Sequence, residues 1–195
     1  MAEETGGVPA DIETLFDQLD AAEREAHAVV AGLDEARGTW RSEAGNWSVA
    51  ECLDHLATAN RVYLVPMEAA AAAGRARGRL RRGPAVPGVV GRWFVRTLEP
   101  SAKLRKMRAP RQIQPRASPP LADAFAAFLA SQHQVRAFLR TNADLDLARL
   151  RFVNPFIPGV RFSLATGLHV IPAHERRHLR QAARVRAAAE RATIT

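Results

Sequence analysis

Two histidines near the C-terminus have a spacing suited to metal binding on a helix. His174 and His178 are four residues apart, so on an α-helix their side chains project from the same side and can bind one ion together. At 100° per residue, His178 falls within the apolar stripe of the surrounding segment and His174 lies at its edge, whereas His169 points nearly the opposite way. We therefore predict that the pair faces the protein interior and that His169 does not.

A third imidazole comes from another part of the chain. His55 lies at the edge of the apolar stripe of a second predicted helix, where a bundle could bring it to the same point as the pair. Three imidazoles would occupy one face of a divalent ion and leave positions for water or substrate. A lone histidine at such an edge is more often a packed residue, so spacing alone leaves both interpretations open. His27 and His133, on the flanks of other stripes, are expected to be partly exposed packing residues.

The same C-terminal segment also fits the H-E-x-x-H pattern of zinc metallopeptidases, in which Glu175 would be the general base. The match is formal, because the glycine and histidine of one peptidase continuation are replaced by Gln181 and Arg184. Only 17 residues follow His178, and Glu190 is their one acid. We therefore do not favour a peptidase.

Apolar residues at three- and four-residue spacing predict four long amphipathic helices. Ser48 and Glu51 match a capping box at the start of the second, and Ser118 precedes two prolines in the manner of an N-cap for the third. Pro66 and Pro172 are expected to bend the helices that contain them. The predicted ranges are 11–37, 48–73, 118–141 and 163–191.

The remaining segments suggest how these helices connect. Residues 75–117 form a long insert with one short helix near Val89 to Leu98, and the prolines and glycine of residues 155–159 indicate a loop before the last helix. No run alternates apolar and polar residues, so no β-sheet is expected. The prediction is an all-α fold, a single domain over residues 1–195 that forms an antiparallel-type four-helix bundle with one long crossover.

Positive charge is concentrated in that crossover. The chain has 28 basic and 20 acidic residues, and 13 of the basic residues but one acid, Glu99, lie between Gly74 and Arg116. One alternative function is a non-catalytic, stress-associated protein that contacts a polyanion through this segment. Its only aromatic residues are Trp93 and Phe94, and arginine outnumbers lysine throughout the chain, so we do not expect nucleic acid and favour a mobile, solvated loop.

Cysteine content and hydropathy indicate a cellular location. A single cysteine, Cys52, excludes an intramolecular disulfide and any multi-cysteine metal site, which is typical of a reducing compartment. The first residues lack the basic start and apolar run of a leader, and no stretch has the ~18 uncharged apolar residues of a membrane helix. We expect a soluble, cytoplasmic protein without membrane contact.

Two segments together resemble the DinB-like superfamily. Asn46-Trp-Ser-Val-Ala-Glu-Cys-Leu-Asp-His-Leu56 is similar to the start of that family's second helix, and His174-Glu-Arg-Arg-His-Leu-Arg-Gln181 is similar to the motif on its last helix. The resemblance covers the chain from about Asp11 to Ala189. It implies a four-helix bundle that holds a divalent metal, such as zinc, nickel or iron, through His55, His174 and His178.

The resemblance also implies a type of reaction. Characterised relatives include transferases in which the metal activates a low-molecular-weight thiol, such as bacillithiol or mycothiol, for attack on an electrophile. An ordinary thiol is mostly protonated at neutral pH, and coordination to a divalent cation deprotonates it. The expectation is a thiol-dependent S-transferase or related hydrolase with a small-molecule substrate. Cys52 lies on an apolar stripe, so the thiol would be an external cofactor.

Other residues near the motifs are candidates for supporting roles. Arg177 and Arg61 are candidates for recruiting an acidic cofactor, by proximity in sequence to the histidines. Glu175 and Asp54 either orient a ligand imidazole or are solvated helix charges. Trp47 is expected to pack at the start of the second helix. A homodimer formed through an apolar bundle face stays open.

Overall fold

Helices make up most of the structure. The computed structural model describes residues 8–43, 45–99 and 109–192, and its helical content confirms the predicted all-α fold. The helices of the described residues are α1 (Ala10–Val30), α2 (Glu35–Thr39), α3 (Val49–Ala76), α4 (Val89–Leu98), α5 (Leu121–Asn142) and α6 (Leu164–Ala192). They are accompanied by a 3-10 turn at Arg111–Ile113 and by two strands, β1 (Arg151–Val153) and β2 (Arg161–Ser163).

Contacts between α3 and α6 show that these two helices run in opposite directions. Asn60 of α3 donates a hydrogen bond to Glu175 of α6. Further along α3, Met67 lies against Gly167, where an added Cβ would be only 2.8 Å from the methionine sulfur. Rising residue numbers in α3 therefore meet falling numbers in α6, which places the middle of α3 beside the middle of α6.

The α3 and α5 helices, by contrast, run in the same direction. Asn60 donates to Ser131, and Arg75 donates to the carbonyl of Thr141, so residue numbers rise together in both helices. A parallel pair needs a connection that returns along the whole bundle, about 42 Å for the 28 residues of α3. The long crossover is thus a requirement of the topology, and the bundle is not antiparallel throughout.

The core has two apolar parts separated by buried polar residues. One apolar cluster surrounds Met67 and Phe152, and the other surrounds Leu53 and Phe128. Between them lie buried side chains that hydrogen-bond to one another or carry charge: Asn60, Ser131, Gln132, Arg136 and Glu175. The level of this polar layer along α6 is also the level of His174 and His178.

The first predicted helix, 11–37, is two helices. α1 ends at Val30, Gly32 adopts a positive φ of 74°, and α2 begins after Asp34, whose side chain accepts from the Arg37 amide at 2.8 Å. A residue in the left-handed region ends a helix, and aspartate is a strong N-cap. The apolar spacing continues across the break, which is why periodicity alone joined the two helices.

The third long helix does not begin at Ser118 as predicted. Ser118 has a positive φ of 48°, and α5 begins at Leu121 after Pro120 without a side-chain cap from its own segment. Residues before proline avoid the helical region, which displaces the start past both prolines. The first amide, Leu121 N, instead donates to the carboxylate of Glu35 in α2.

The expectation of no β-structure is wrong for residues 151–163. β1 and β2 form an antiparallel hairpin in which Phe152 pairs with Phe162, both buried. Each strand has three residues, too few for an alternating pattern to stand out. The hairpin loop is closed by Asn154, whose side-chain oxygen accepts from the amides of Phe156 and Ile157.

The basic run at the start of the crossover is largely exposed, as expected of a solvated loop, but it is attached to the bundle. Arg75 forms two hydrogen bonds with Asp144, and Arg81 pairs with Asp11. Leu80 forms an isolated bridge with Leu145. Pairing with acids offsets the repulsion among these arginines. Part of the insert, residues 100–108, lies outside the described residues.

None of the described helices combines the length and the apolar character needed to cross a bilayer.

Candidate metal centre

The start of α3 fixes the position of the first histidine. The predicted capping box is present: Ser48 Oγ accepts from the Glu51 amide, and Glu51 Oε2 accepts from the Ser48 amide at 2.9 Å. Arg41 holds the same carboxylate at 2.8 Å. These contacts set the helix start, and His55 follows one turn after Glu51. Trp47, just before the cap, packs with its ring centroid 4.7 Å from that of His55.

Three histidines from two helices meet at one point. His55 Nε2 lies 3.2 Å from His174 Nε2, and the ring centroid of His178 is 4.5 Å from that of His55 and 4.7 Å from that of His174. Each of the three offers one ring nitrogen within 4.8 Å of the others. The antiparallel contact of α3 with α6 produces this meeting of residues 119 positions apart.

Hydrogen bonds fix which ring nitrogens face the centre. His55 Nδ1 lies 2.5 Å from the carbonyl of Ile113, which can only accept, so Nδ1 carries the proton and Nε2 carries a lone pair. His178 Nδ1 lies 3.1 Å from Gln181 Oε1, which leaves its Nε2 free in the same way. Partners of this kind orient metal-binding imidazoles and set their tautomer.

Burial keeps the imidazoles uncharged. Desolvation lowers the pKa of His55, and it lowers the pKa of His178 to about 3 with help from the neighbouring His55 and Arg177. The pKa of His174 is held well below its usual range by burial and by the two adjacent histidines. All three are therefore neutral at pH 7, the form in which imidazole binds a metal.

The donor set fits a divalent cation. Two nitrogens bound at about 2.0–2.1 Å to a tetrahedral ion lie about 3.3 Å apart, close to the 3.2 Å between His55 and His174. Neutral imidazoles suit zinc, nickel and iron, and three of them leave coordination positions open. The group could therefore hold a metal ion, as the sequence predicted for these three residues.

The histidines line the wall of a large cavity of about 920 Å³. Its other walls include Trp47, Tyr63 and Ile113, together with the hairpin residue Phe156. The volume lies within the range of small-molecule sites, ~300–1,000 Å³. A second cavity, about 530 Å³ and lined mainly by charged residues between α1 and α5, contains none of the three histidines.

Neither of the two acidic residues adjacent to the candidate ligands orients a described imidazole. Glu175 is fully buried, accepts from Asn60 at 2.8 Å and does not line the cavity, so it does not take the place of a peptidase base. Burial raises its pKa to about 7. Asp54 is buried and accepts from the amide and guanidinium of Arg116. Both are buried and bonded, so the expectation of solvated charges is wrong.

The other candidate residues differ in whether they line the cavity. Arg177 is half-buried and lines the cavity, but Arg61 is exposed, donates to Thr58 and does not line it. His169 is half-buried with its Nδ1 against the Ala165 carbonyl, outside the group of three.

Three further residues stay away from the centre as expected. His27 packs edge-on against Phe125, and both His27 and His133 are exposed. Cys52 is fully buried, and burial raises the pKa of its thiol. A protonated, buried thiol is unreactive.

Sequence reasoning missed two partners of the histidines. Gln181 was part of the C-terminal motif but had no assigned role, although its position three residues after His178 places it on the same helix face. Nothing in the sequence indicated the Ile113 carbonyl, because every residue type has the same backbone carbonyl and the segment around Ile113 is irregular.

The helical bundle and the histidine cluster together define a class of protein: an α-helical bundle with a candidate three-histidine metal centre open to a cavity. Residues 18–182 match the sequence model of the DinB superfamily, and the chain belongs to this superfamily. No curated protein and no solved structure matches the chain significantly.

Proposed function

We propose that this protein is a divalent-metal-dependent enzyme in which His55, His174 and His178 hold the ion. The observation that carries the proposal is the meeting of three neutral imidazoles at 4.8 Å or less on the wall of a 920 Å³ cavity. Zinc, nickel and iron all suit this donor set. Such a cavity suits a small-molecule substrate.

The proposed reaction is transfer of an external low-molecular-weight thiol to an electrophile, with hydrolysis as the related alternative. When bound, the cation would lower the pKa of a thiol or water and so supply a nucleophile at neutral pH. In the transfer, a sulfur–carbon bond forms and the bond to the leaving group breaks, its electron pair departing with that group while the thiol proton passes to solvent.

The protein's own residues have three tasks in this proposal. Ile113 and Gln181 hold two of the imidazoles in the required tautomer. The apolar side chains of the cavity keep water away from the reacting groups. Cys52 takes no part, because it is buried and its thiol stays protonated.

The test is consumption of an electrophile, monochlorobimane, by the metal-loaded protein with and without bacillithiol, mycothiol or cysteine. We expect a rate that needs both thiol and metal and that His178→Ala abolishes. Equal rates with and without protein for every thiol would overturn the transferase proposal, and turnover with water alone would favour the hydrolase.

The polyanion-binding alternative has less support. Arg75, Arg81 and Arg116 of the basic crossover already pair with aspartates. A gel-retardation assay at low and high salt tests it, since phosphate contacts weaken steeply with salt. Absence of any shift at low salt would end this alternative. A cytoplasmic location and a homodimer stay predictions.

A further inference from the structure

The cavity beside the histidines changes in polarity along its length. The α6 residues on its wall run from Val170 to Ala188, about 27 Å at about 1.5 Å per residue, with His174 and His178 between the ends. Because α3 is antiparallel to α6, Tyr63 belongs to the Val170 end and Trp47 to the other half.

One end is apolar and largely aromatic. Tyr63 packs against Phe156 with ring centroids 5.5 Å apart, and Asn154 donates to the tyrosine hydroxyl, so the polar atom of Tyr63 is already satisfied. The residues of this end share apolar side chains contributed by α3, α4, the hairpin and α6: Tyr63, Phe94, Leu98, Phe156, Ile157 and Ile171. Such a surface favours an apolar chain or ring.

From the level of the histidines towards Ala188, the wall of the cavity is basic. Arg177, Arg180 and Arg184 line the cavity, and none of them has a hydrogen bond or ion pair within the parts of the chain that the structure describes. Other arginines of α6 form ion pairs: Arg176 pairs with Glu99, and Arg186 pairs with Glu190. Guanidinium groups without partners on a cavity wall are suited to bind a carboxylate or phosphate.

Arg177 is the guanidinium best placed to bind an anion near the histidines. It is half-buried on the cavity wall, and no carboxylate of the described residues forms an ion pair with its charge. An anionic ligand group would compensate this charge. Along the helix axis Arg177 is about 9 Å from Ile171, and His174 lies between them.

We propose that the cavity binds an amphipathic monoanion, with its apolar part against the aromatic end, its carboxylate at Arg177 and its middle at the three histidines. This inference rests on the proposed function only in treating the cavity as the substrate site. It specifies that substrate as a small carboxylate with an apolar chain or ring.

Calorimetric titration of metal-free protein tests this proposal with 4-phenylbutyrate, with its neutral analogue 4-phenylbutanol, and with acetate. We expect 4-phenylbutyrate to bind most tightly. Arg177→Gln should weaken it by about tenfold or more and leave 4-phenylbutanol unchanged, with Arg184→Gln acting in the same direction. Phe94→Gln should weaken both phenyl compounds. The matched controls, Arg191→Gln and Val90→Gln, alter exposed residues of the same helices that do not line the cavity.

Three outcomes would overturn the proposal: no binding of 4-phenylbutyrate, acetate binding as tightly, or equal affinity of the acid and alcohol with no effect of either arginine variant. Metal-free protein keeps this test separate from the proposed catalytic function. If the protein binds metal but not 4-phenylbutyrate, only the proposed carboxylate ligand is refuted. If it binds 4-phenylbutyrate but no metal, only the proposed metal-dependent function is refuted.

Discussion

Single side chains orient the histidines of the candidate metal centre. Gln181 accepts from His178 Nδ1 and so points Nε2 at the centre. Gln181→Ala should lower metal affinity by about tenfold or more, the range found for partners of metal-binding imidazoles. Competition with a chromogenic chelator measures the change. Gln134→Ala, an exposed glutamine of α5, is the control, and unchanged affinity of the Gln181 variant would contradict the role of this bond.

The thiol of Cys52 should be unreactive in the folded protein. It is 0% exposed, and burial raises the pKa of its thiol. We expect no reaction with a chromogenic disulfide reagent until the protein is unfolded, and Cys52→Ala should keep the thiol-dependent rate. A rapid reaction in native buffer, or loss of that rate, would show that the protein uses its own thiol.

Most of the candidate site could be predicted from residue types and a family resemblance. His174 and His178 could be paired from helical spacing, and family resemblance added His55. Arg61 shows the limit of such reasoning, because closeness in sequence to His55 did not place it on the cavity wall, and its guanidinium instead bonds to Thr58. Backbone acceptors such as Ile113 can be found only from the three-dimensional structure.

At the scale of elements, the crossover is attached directly behind a predicted metal ligand. Arg116 bonds to Asp54 through its amide and guanidinium, and three residues earlier Ile113 accepts from His55. Asp54→Asn should loosen this attachment and reduce metal affinity by about tenfold, as for other indirect partners. The measurement is the same chelator competition.

A second ion pair of the crossover provides the control for that variant. Arg75 and Asp144 are also joined by two hydrogen bonds, but their side chains are 46% and 51% exposed and lie at the opposite end of α3 from His55. Asp144→Asn should leave metal affinity unchanged and alter stability by less than about 1 kcal/mol. Equal effects of the two variants on metal affinity would refute the specific role of Asp54.

The start of α1 should make stability depend on pH. Asp11 is 18% exposed; burial raises its pKa, but hydrogen bonds from Arg81 and the Ala85 amide outweigh this, so its pKa lies below the ordinary value of an aspartate. A lowered carboxylate pKa stabilises the fold above the unfolded value, and this stability is lost as pH falls through the folded value. At pH 7, Asp11→Asn should cost about 1–2 kcal/mol.

Urea unfolding of the wild type and the Asp11→Asn variant at pH 7 and pH 3 measures this difference. We expect the two proteins to differ at pH 7 and to approach each other at pH 3. Asp17→Asn, at an exposed position of the same helix, should have little effect. A difference of the same size at both pH values would rule out the Asp11 carboxylate as its source.

Elements were predictable where local signals were strong. The capping box placed the start of α3 within one residue, because Ser48 and Glu51 act on their own helix. The start of α5 depends instead on Glu35, from another helix, and the hairpin depends on Phe152 and Phe162 being buried by the bundle. Tertiary contacts of this kind leave little trace in local spacing.

The whole molecule explains why the site lies where it does. The antiparallel contact of α3 with α6 joins His55 to the C-terminal pair, and the parallel contact of α3 with α5 brings the crossover back past His55. The buried polar layer of Asn60, Ser131 and Glu175 crosses the bundle at this level. The bundle therefore supplies both the candidate ligands and their orientation.

Metal content per chain tests the central claim most directly. Elemental analysis and chelator competition are applied to the wild type, His55→Ala, His178→Ala and the matched control His169→Ala, a half-buried histidine of α6 outside the group. We predict one ion per chain in the wild type and in the control, and a loss of affinity of about a hundredfold or more in the other two. Wild-type affinity in His55→Ala would contradict a centre shared by two helices.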